Sequence, residues 1–173
     1  MKVKPITGPW QHGDDPVAEL PISFVMLLRR AHWFTLDELV AAAEKAWGCP
    51  FSKRESDFFV EQKKNKALIN APPYLISILC SDRPYFDRDP NDYASTLGHE
   101  LQRLAWAQHL AWVSLDSIQG GKDKEAQYRI LANLAAGMLD ANCTGVYVPS
   151  QNSFIPNSAS LYNDLRMIGR GGS

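Results

Sequence analysis

The sequence has few cysteines and none in pairs. Cys49, Cys80 and Cys143 are odd in number, far apart and never in a C-x-x-C arrangement. That argues against a disulfide framework and a thiolate metal site; Cys80, ending an apolar run, and Cys143, following a helix, read as small buried hydrophobes in a reducing cytoplasm. A long apolar run is missing too. Residues 22–28 (ISFVMLL) are apolar, but seven residues are too few to span a bilayer, and Arg29-Arg30 follow them. The first ten residues hold two lysines and no apolar h-region, so neither a leader nor a membrane partner is expected. Excess charge is also absent. Eighteen Lys+Arg against nineteen Asp+Glu leave a net charge of −1, which disfavours nucleic acid as the partner.

The motifs that announce chemistry are missing as well. There is no G-x-S-x-G elbow, no Walker A loop and no G-x-G-x-x-G. His99-Glu100 begins like a zinc-binding H-E-x-x-H helix, but its fifth position is Arg103, so His99, Gln102 and Arg103 read as a solvated face. His12, His32, His99 and His109 have no ligand-like spacing. Asp87 to Asp92 begins like a calcium loop, yet Asp92 stands where glycine is needed and Gly98 where a bidentate Glu is needed. Asp89 and Asp92 read instead as carboxylates stabilising a helix N-terminus. No metal and no cofactor is implied.

What is present is enough for one self-sufficient core: 173 residues, of which 45% are apolar. Residues 1–21, with Pro5, Pro9, Pro16 and Pro21, read as an extended arm that Trp10 can pin to the body. Residues 22–168 form one domain, and the glycine-rich 169–173 reads as a flexible tail. The apolar run 22–28 predicts a strand covered on both faces. Thr35-Leu36-Asp37-Glu38 is a capping box, and Leu36, Leu39, Val40, Ala43 and Trp47 continue it at helical spacing until Gly48 and Pro50.

Residues 57–70 predict a hairpin around Lys63-Lys64-Asn65-Lys66, and 74–80 (YLISILC) a second doubly covered strand. Asp89-Pro90 predicts a helix start, with Tyr93, Leu97, Leu101 and Leu104 on one face. Residues 109–116 predict a strand, 123–141 an apolar helix, 145–148 a strand and 159–168 a terminal helix. This order predicts an α+β fold with a ferredoxin-like βαββαβ core whose central pair is 22–28 and 74–80, extended by a C-terminal αβα. A right-handed crossover is expected in that extension. A doubly wound parallel α/β sheet is the alternative.

On that sheet two poles are expected. One gathers Arg29, Arg30 and His32 with Lys63, Lys64 and Lys66, a basic rim that can bind an anionic ligand or acidic partner or can simply be solvated. The other gathers strand ends carrying Ser81, Asp82, Arg83, Ser114, Asp116, Tyr147 and Ser150. Strand carboxyl ends favour ligands in α/β sheets, and Asp82, Arg83, Asp116 and Tyr147 could supply acid–base chemistry there.

The segments HLAWVSLDSI and YRILANLAAGMLDANCTGVYVP, preceded by SFVMLLRR, TLDELVAAAEKAWG and ILCSDRPY, resemble a family of uncharacterised bacterial domains of unknown function. The resemblance covers residues 20–168 and leaves out the proline-rich arm. It implies a bacterial intracellular setting and a mixed sheet, and no reaction, cofactor or catalytic residue. The expected function is therefore a non-enzymatic intracellular domain that binds a protein partner or a small ligand. The broad apolar arc at 130–139 and the five tryptophans motivate it, and a homodimer is one way to cover such an arc. The alternative is a small enzyme built on Asp82, Arg83, Asp116 and Tyr147.

Overall fold

The computed structural model describes residues 21–54, 56–86 and 93–169. The proline-rich arm up to residue 20, the Asp89-Pro90 helix start with Asp92, and the tail from 170 lie outside the described residues. The chain runs β1 (Ile22–Leu28), α1 (Leu36–Trp47), β2 (Phe59–Lys63), β3 (Lys66–Ala71) and β4 (Tyr74–Ser81). It continues through α2 (Glu100–Ala107), β5 (Ala111–Gln119), α3 (Lys124–Met138), β6 (Cys143–Val148), β7 (Ser153–Pro156) and α4 (Leu161–Gly169). The class is α+β, with one seven-stranded sheet in the order β2-β3-β4-β5-β1-β6-β7.

Local chemistry explains the element ends. The capping box at α1 forms as the sequence requires: Glu38 N–H donates to the Thr35 hydroxyl at 3.2 Å, and Thr35 N–H donates to the Glu38 carboxylate at 2.7 Å. Gly48, at φ 71°, closes α1 in the left-handed region that a residue without Cβ adopts freely. The β2–β3 turn takes only Lys64 and Asn65, with Lys64 at φ 54°. Asp123 caps α3 by accepting from Ala126 N–H at 3.0 Å. Pro72-Pro73, between β3 and β4, is cis.

Alternation along each strand sorts side chains to two faces. On one face Phe24, Met26 and Leu28 of β1, Ile76 and Ile78 of β4, and Val113 and Leu115 of β5 pack against α1, α3 and α4 in the main core. On the other face Val25, Leu27, Tyr147 and Phe154 pack against Trp106 of α2 and the aromatic residues that precede it. β1 is thus covered on both faces, which is why it reads as a continuous apolar run.

Three expectations change. All pairings of the named strands are antiparallel, so the doubly wound parallel sheet does not occur. The pair 22–28 and 74–80 are not neighbours, because β5 lies between them. Both runs are apolar for different reasons: β1 is buried on two faces, whereas Leu75 and Leu79 of β4 are only half-buried on the second. Finally, β7 arises in the stretch 149–158, which reads as polar loop. It pairs with β6 through Tyr147–Phe154, and Phe154 is its one buried anchor.

Candidate functional site

The second sheet face carries a polar, half-buried row. Ser77 of β4, Asp116 of β5 and Ser23 of β1 are register partners across three adjacent strands. The next row runs Leu79, Ser114, Val25 and Tyr147. Asp116 is half-buried, and both its oxygens are engaged. Ser23 Oγ donates to one at 2.5 Å and Ser114 Oγ to the other at 2.7 Å. Two hydroxyl donors compensate a carboxylate partly removed from water.

An aromatic cluster stands beside this row. Tyr85 lies 5.5 Å from Trp112 and 5.8 Å from Tyr147, centroid to centroid, and Trp106 lies 4.3 Å from Tyr93. Tyr93 and Tyr147 both donate their hydroxyls to Asn152 Oδ1 at 3.1 Å. Burial pushes the Tyr85 phenol up to about 12, with added repulsion from Tyr147 and Asp116. Burial also pushes Tyr93 up to about 12 and raises Tyr147. These phenols are hydrogen-bond donors near neutral pH and poorly suited to act as bases.

His109 is buried in the same cluster and is structural. Its Nδ1 bonds the Trp106 carbonyl, and its Nε2 accepts the Tyr85 backbone N–H at 3.2 Å. That pairing needs the neutral ring, and burial lowers its affinity for a proton.

The four residues of the acid–base alternative are not brought together. Asp116 and Tyr147 share the second face, with β1 between their strands, and their polar atoms have the separate partners just described. Asp82 and Arg83 are exposed beyond the end of β4, where Ser81 Oγ accepts the Arg83 N–H at 3.2 Å. Ser81 pairs with Trp112, four residues along β5 from Asp116, which is about 13 Å at strand rise. The physical reason is antiparallel pairing: it puts the end of β4 beside the start of β5.

The same geometry redraws the basic rim. The ends of β1 and β4 and the β2–β3 turn share one edge of the sheet, since Leu28 pairs with Ala111, Ser81 with Trp112 and Lys66 with Leu79. Asp82 and Arg83 therefore join Arg29, Arg30, His32, Lys63, Lys64 and Lys66 rather than opposing them. Three strand spacings, about 14 Å, separate β1 from the turn. His32 pairs with Glu38 at 3.2 Å and Lys63 with Glu61 at 2.8 Å. The cavity beside Trp33, Phe34, Lys64, Lys66 and Cys80 has only about 10 Å³, room for no more than a single water. Among the described residues no cluster of three His, Cys, Asp or Glu is placed to hold a metal.

A second concavity lies elsewhere. A groove of about 450 Å³ is lined by Ala94, Ser95, Glu100, Arg103, Leu104 and Ala107, along the outer side of α2. Sequence periodicity puts Leu101 and Leu104 on a core face with Tyr93 and Leu97. The helix restarts at Glu100, after Leu97-Gly98-His99, so the phase is reset. Gln102, Ala105 and Trp106 now point inward, with Gln102 Nε2 donating to the Phe154 carbonyl at 3.0 Å. Gln102 therefore leaves the solvated face expected for it. Leu101 and Leu104 are 72% and 51% exposed, and Leu110 beyond the helix is 60% exposed. Gly98 was the available signal: a helix interior disfavours glycine, and the apolar spacing must be counted afresh after it. By contrast, the arc at 130–139 is mostly core, with Leu131 and Leu134 wholly buried, Met138 nearly so, and Ile130 and Leu139 partly buried against them.

No protein-family model, curated protein or solved structure gives a significant match to this chain. No helix among the described residues is long and apolar enough to cross a membrane.

Proposed function

We propose that this chain is a non-enzymatic domain that docks onto a protein partner through the outer face of α2. The observation that carries the reading is the pair Leu101 and Leu104, exposed side by side next to the 450 Å³ groove. Contiguous exposed apolar surface rimmed by polar groups marks interaction sites. Trp106, packed against Tyr93 and Phe154 on the inner side, anchors that helix to the sheet. A small ligand fits the groove poorly, because five of its six lining residues are exposed and would leave the ligand in water.

The scaffold that we infer is ferredoxin-like, carried by β1, α1, β4, β5, α3 and β6. Strand order β4-β5-β1-β6 with antiparallel neighbours supports it, as do α1 and α3 sharing one face. In that reading β2–β3 extends one edge, β7 extends the other, and α2 is an insertion on the opposite face. A bacterial cytoplasm is the setting that suits three unpaired cysteines and the resemblance to a bacterial family of unknown function.

A photo-crosslinking residue at position 104, with position 53 as control, tests the docking reading in a lysate of the source cells. Adducts formed from 104, absent from 53 and lost in Leu101→Glu, are expected. No adduct from 104 overturns the reading.

A further inference from the structure

The docking face of α2 is self-complementary, and we propose that its partner is a second copy of this chain. The proposal rests on the docking reading above and names the occupant.

The argument is one of charge and symmetry. Glu100 and Arg103 are both exposed on the outer side of α2, three residues apart, and lie together along one side of the two leucines. The Glu100 side chain has no hydrogen bond or ion pair among the described residues, and Arg103 reaches only the Leu97 carbonyl, at 2.8 Å. A strongly acidic or basic partner would match one of these charges and be repelled by the other. A second α2 laid antiparallel across the first matches both. Its two-fold axis passes midway between positions 100 and 103, so each Glu100 faces Arg103 of the other copy. The same axis passes close to Leu101, so Leu101 and Leu104 of the two copies meet along one seam. That is the isologous arrangement, in which residue i meets j and j meets i.

The helix is eight residues long, about 12 Å, so the interface is small and the dimer is a weak, concentration-dependent one.

Sedimentation equilibrium of the full chain at rising concentration tests this, with a charge swap to identify the surface. The wild-type mass is expected to climb from 19.4 kDa toward twice that value. Glu100→Arg and Arg103→Glu each create two like-charge contacts in their own dimer, and each is expected to weaken it by about tenfold or more. An equimolar mixture of the two variants restores opposite charges at both contacts and is expected to dimerise like the wild type. Circular dichroism of each variant alone shows that it folds. A wild type that stays monomeric, or a dimer indifferent to both reversals, overturns the proposal. The crosslinking from position 104 separates the two failures. An adduct with a different protein leaves docking intact and removes self-association, whereas no adduct at all removes both.

Discussion

Asp116 shows how a half-buried carboxylate on a sheet face is held by hydroxyl donors from its own strand and the next. It sits on a strand between Ser114 and Ser117, and both of its oxygens accept hydroxyls from side chains on its own face and strand neighbourhood. The two hydroxyls occupy two of the carboxylate's four lone-pair positions, one on each oxygen. Gly145 is a residue whose role is steric. A Cβ there would lie 2.5 Å from the Phe154 ring and 2.6 Å from the Ile155 carbonyl. Gly145→Ala is expected to cost about 1–3 kcal/mol, because backbone and a buried ring have to move. Urea unfolding checks it, and an unchanged midpoint contradicts the packing described for β6 and β7.

His109 sets a pH dependence. Burial lowers its pKa below the ordinary 6.5, so the unfolded chain takes up the proton before the native state does. The neutral ring's contribution is complete above about pH 6.5 and is lost progressively as pH falls from there toward the native value. Thermal melts across that window are expected to show stability falling with acidity. His109→Gln is expected to start lower and to lose that part of the slope; an unchanged slope would assign it to another group.

At the scale of elements, α1 and α2 make a useful contrast. Every feature of α1 that the sequence displays is realised: the Thr35 cap, the Glu38 return bond and the Gly48 stop. The backbone N–H of Thr35 lowers the Glu38 pKa more than partial burial raises it. Thr35→Ala is expected to cost about 0.5–2 kcal/mol at neutral pH. The part that depends on charged Glu38 is present above its ordinary pKa of 4.5 and is lost as pH falls below it. Thr35→Ala keeps the backbone N–H that Glu38 accepts from and loses the hydroxyl that caps Glu38 N–H, so most of the difference between variant and wild type should persist in acid, and a difference that vanishes there would assign it to the Glu38 charge instead. α2 behaves otherwise. It has no side-chain cap and takes its register from Trp106, which locks into an aromatic cluster assembled from β5, β6, β7 and the chain before the helix. A helix positioned by one tertiary anchor can turn its leucines outward, and no local pattern reports that.

At the scale of the molecule, the described residues form a sheet covered on one face by three helices and on part of the other by one, which creates unequal environments for the thiols. Cys143 is buried at the start of β6, and burial pushes its thiol up to about 12. A thiolate is the reactive form, so native Cys143 is inert. Its labelling by an aromatic disulfide reagent is expected only through unfolding, at a rate that tracks global stability in denaturant. Fast labelling in the folded protein would mean that β6 opens locally.

Much of this fold was legible in the linear chain, because it rests on short-range rules. Residues 22–28 and 74–80 read as strands from their apolar runs, the hairpin from its lysine turn, α1 from periodicity and its capping box, and α3 from its apolar arc. The placement of those elements was not legible. Two doubly apolar runs invite pairing, yet β5 inserts between them, because side-chain alternation on β5 also matches both neighbours. The strand-end pole dissolved for the same reason: antiparallel order sends Asp82 and Arg83 to the edge shared with Arg29, Arg30 and the lysine turn. Local propensity and capping act over a few residues, so the chain alone settled which segments are helix or strand. Strand order, the phase of α2 and the outward Leu101–Leu104 face depend on contacts between segments far apart in sequence, and only packing around Trp106 and β1 decided them.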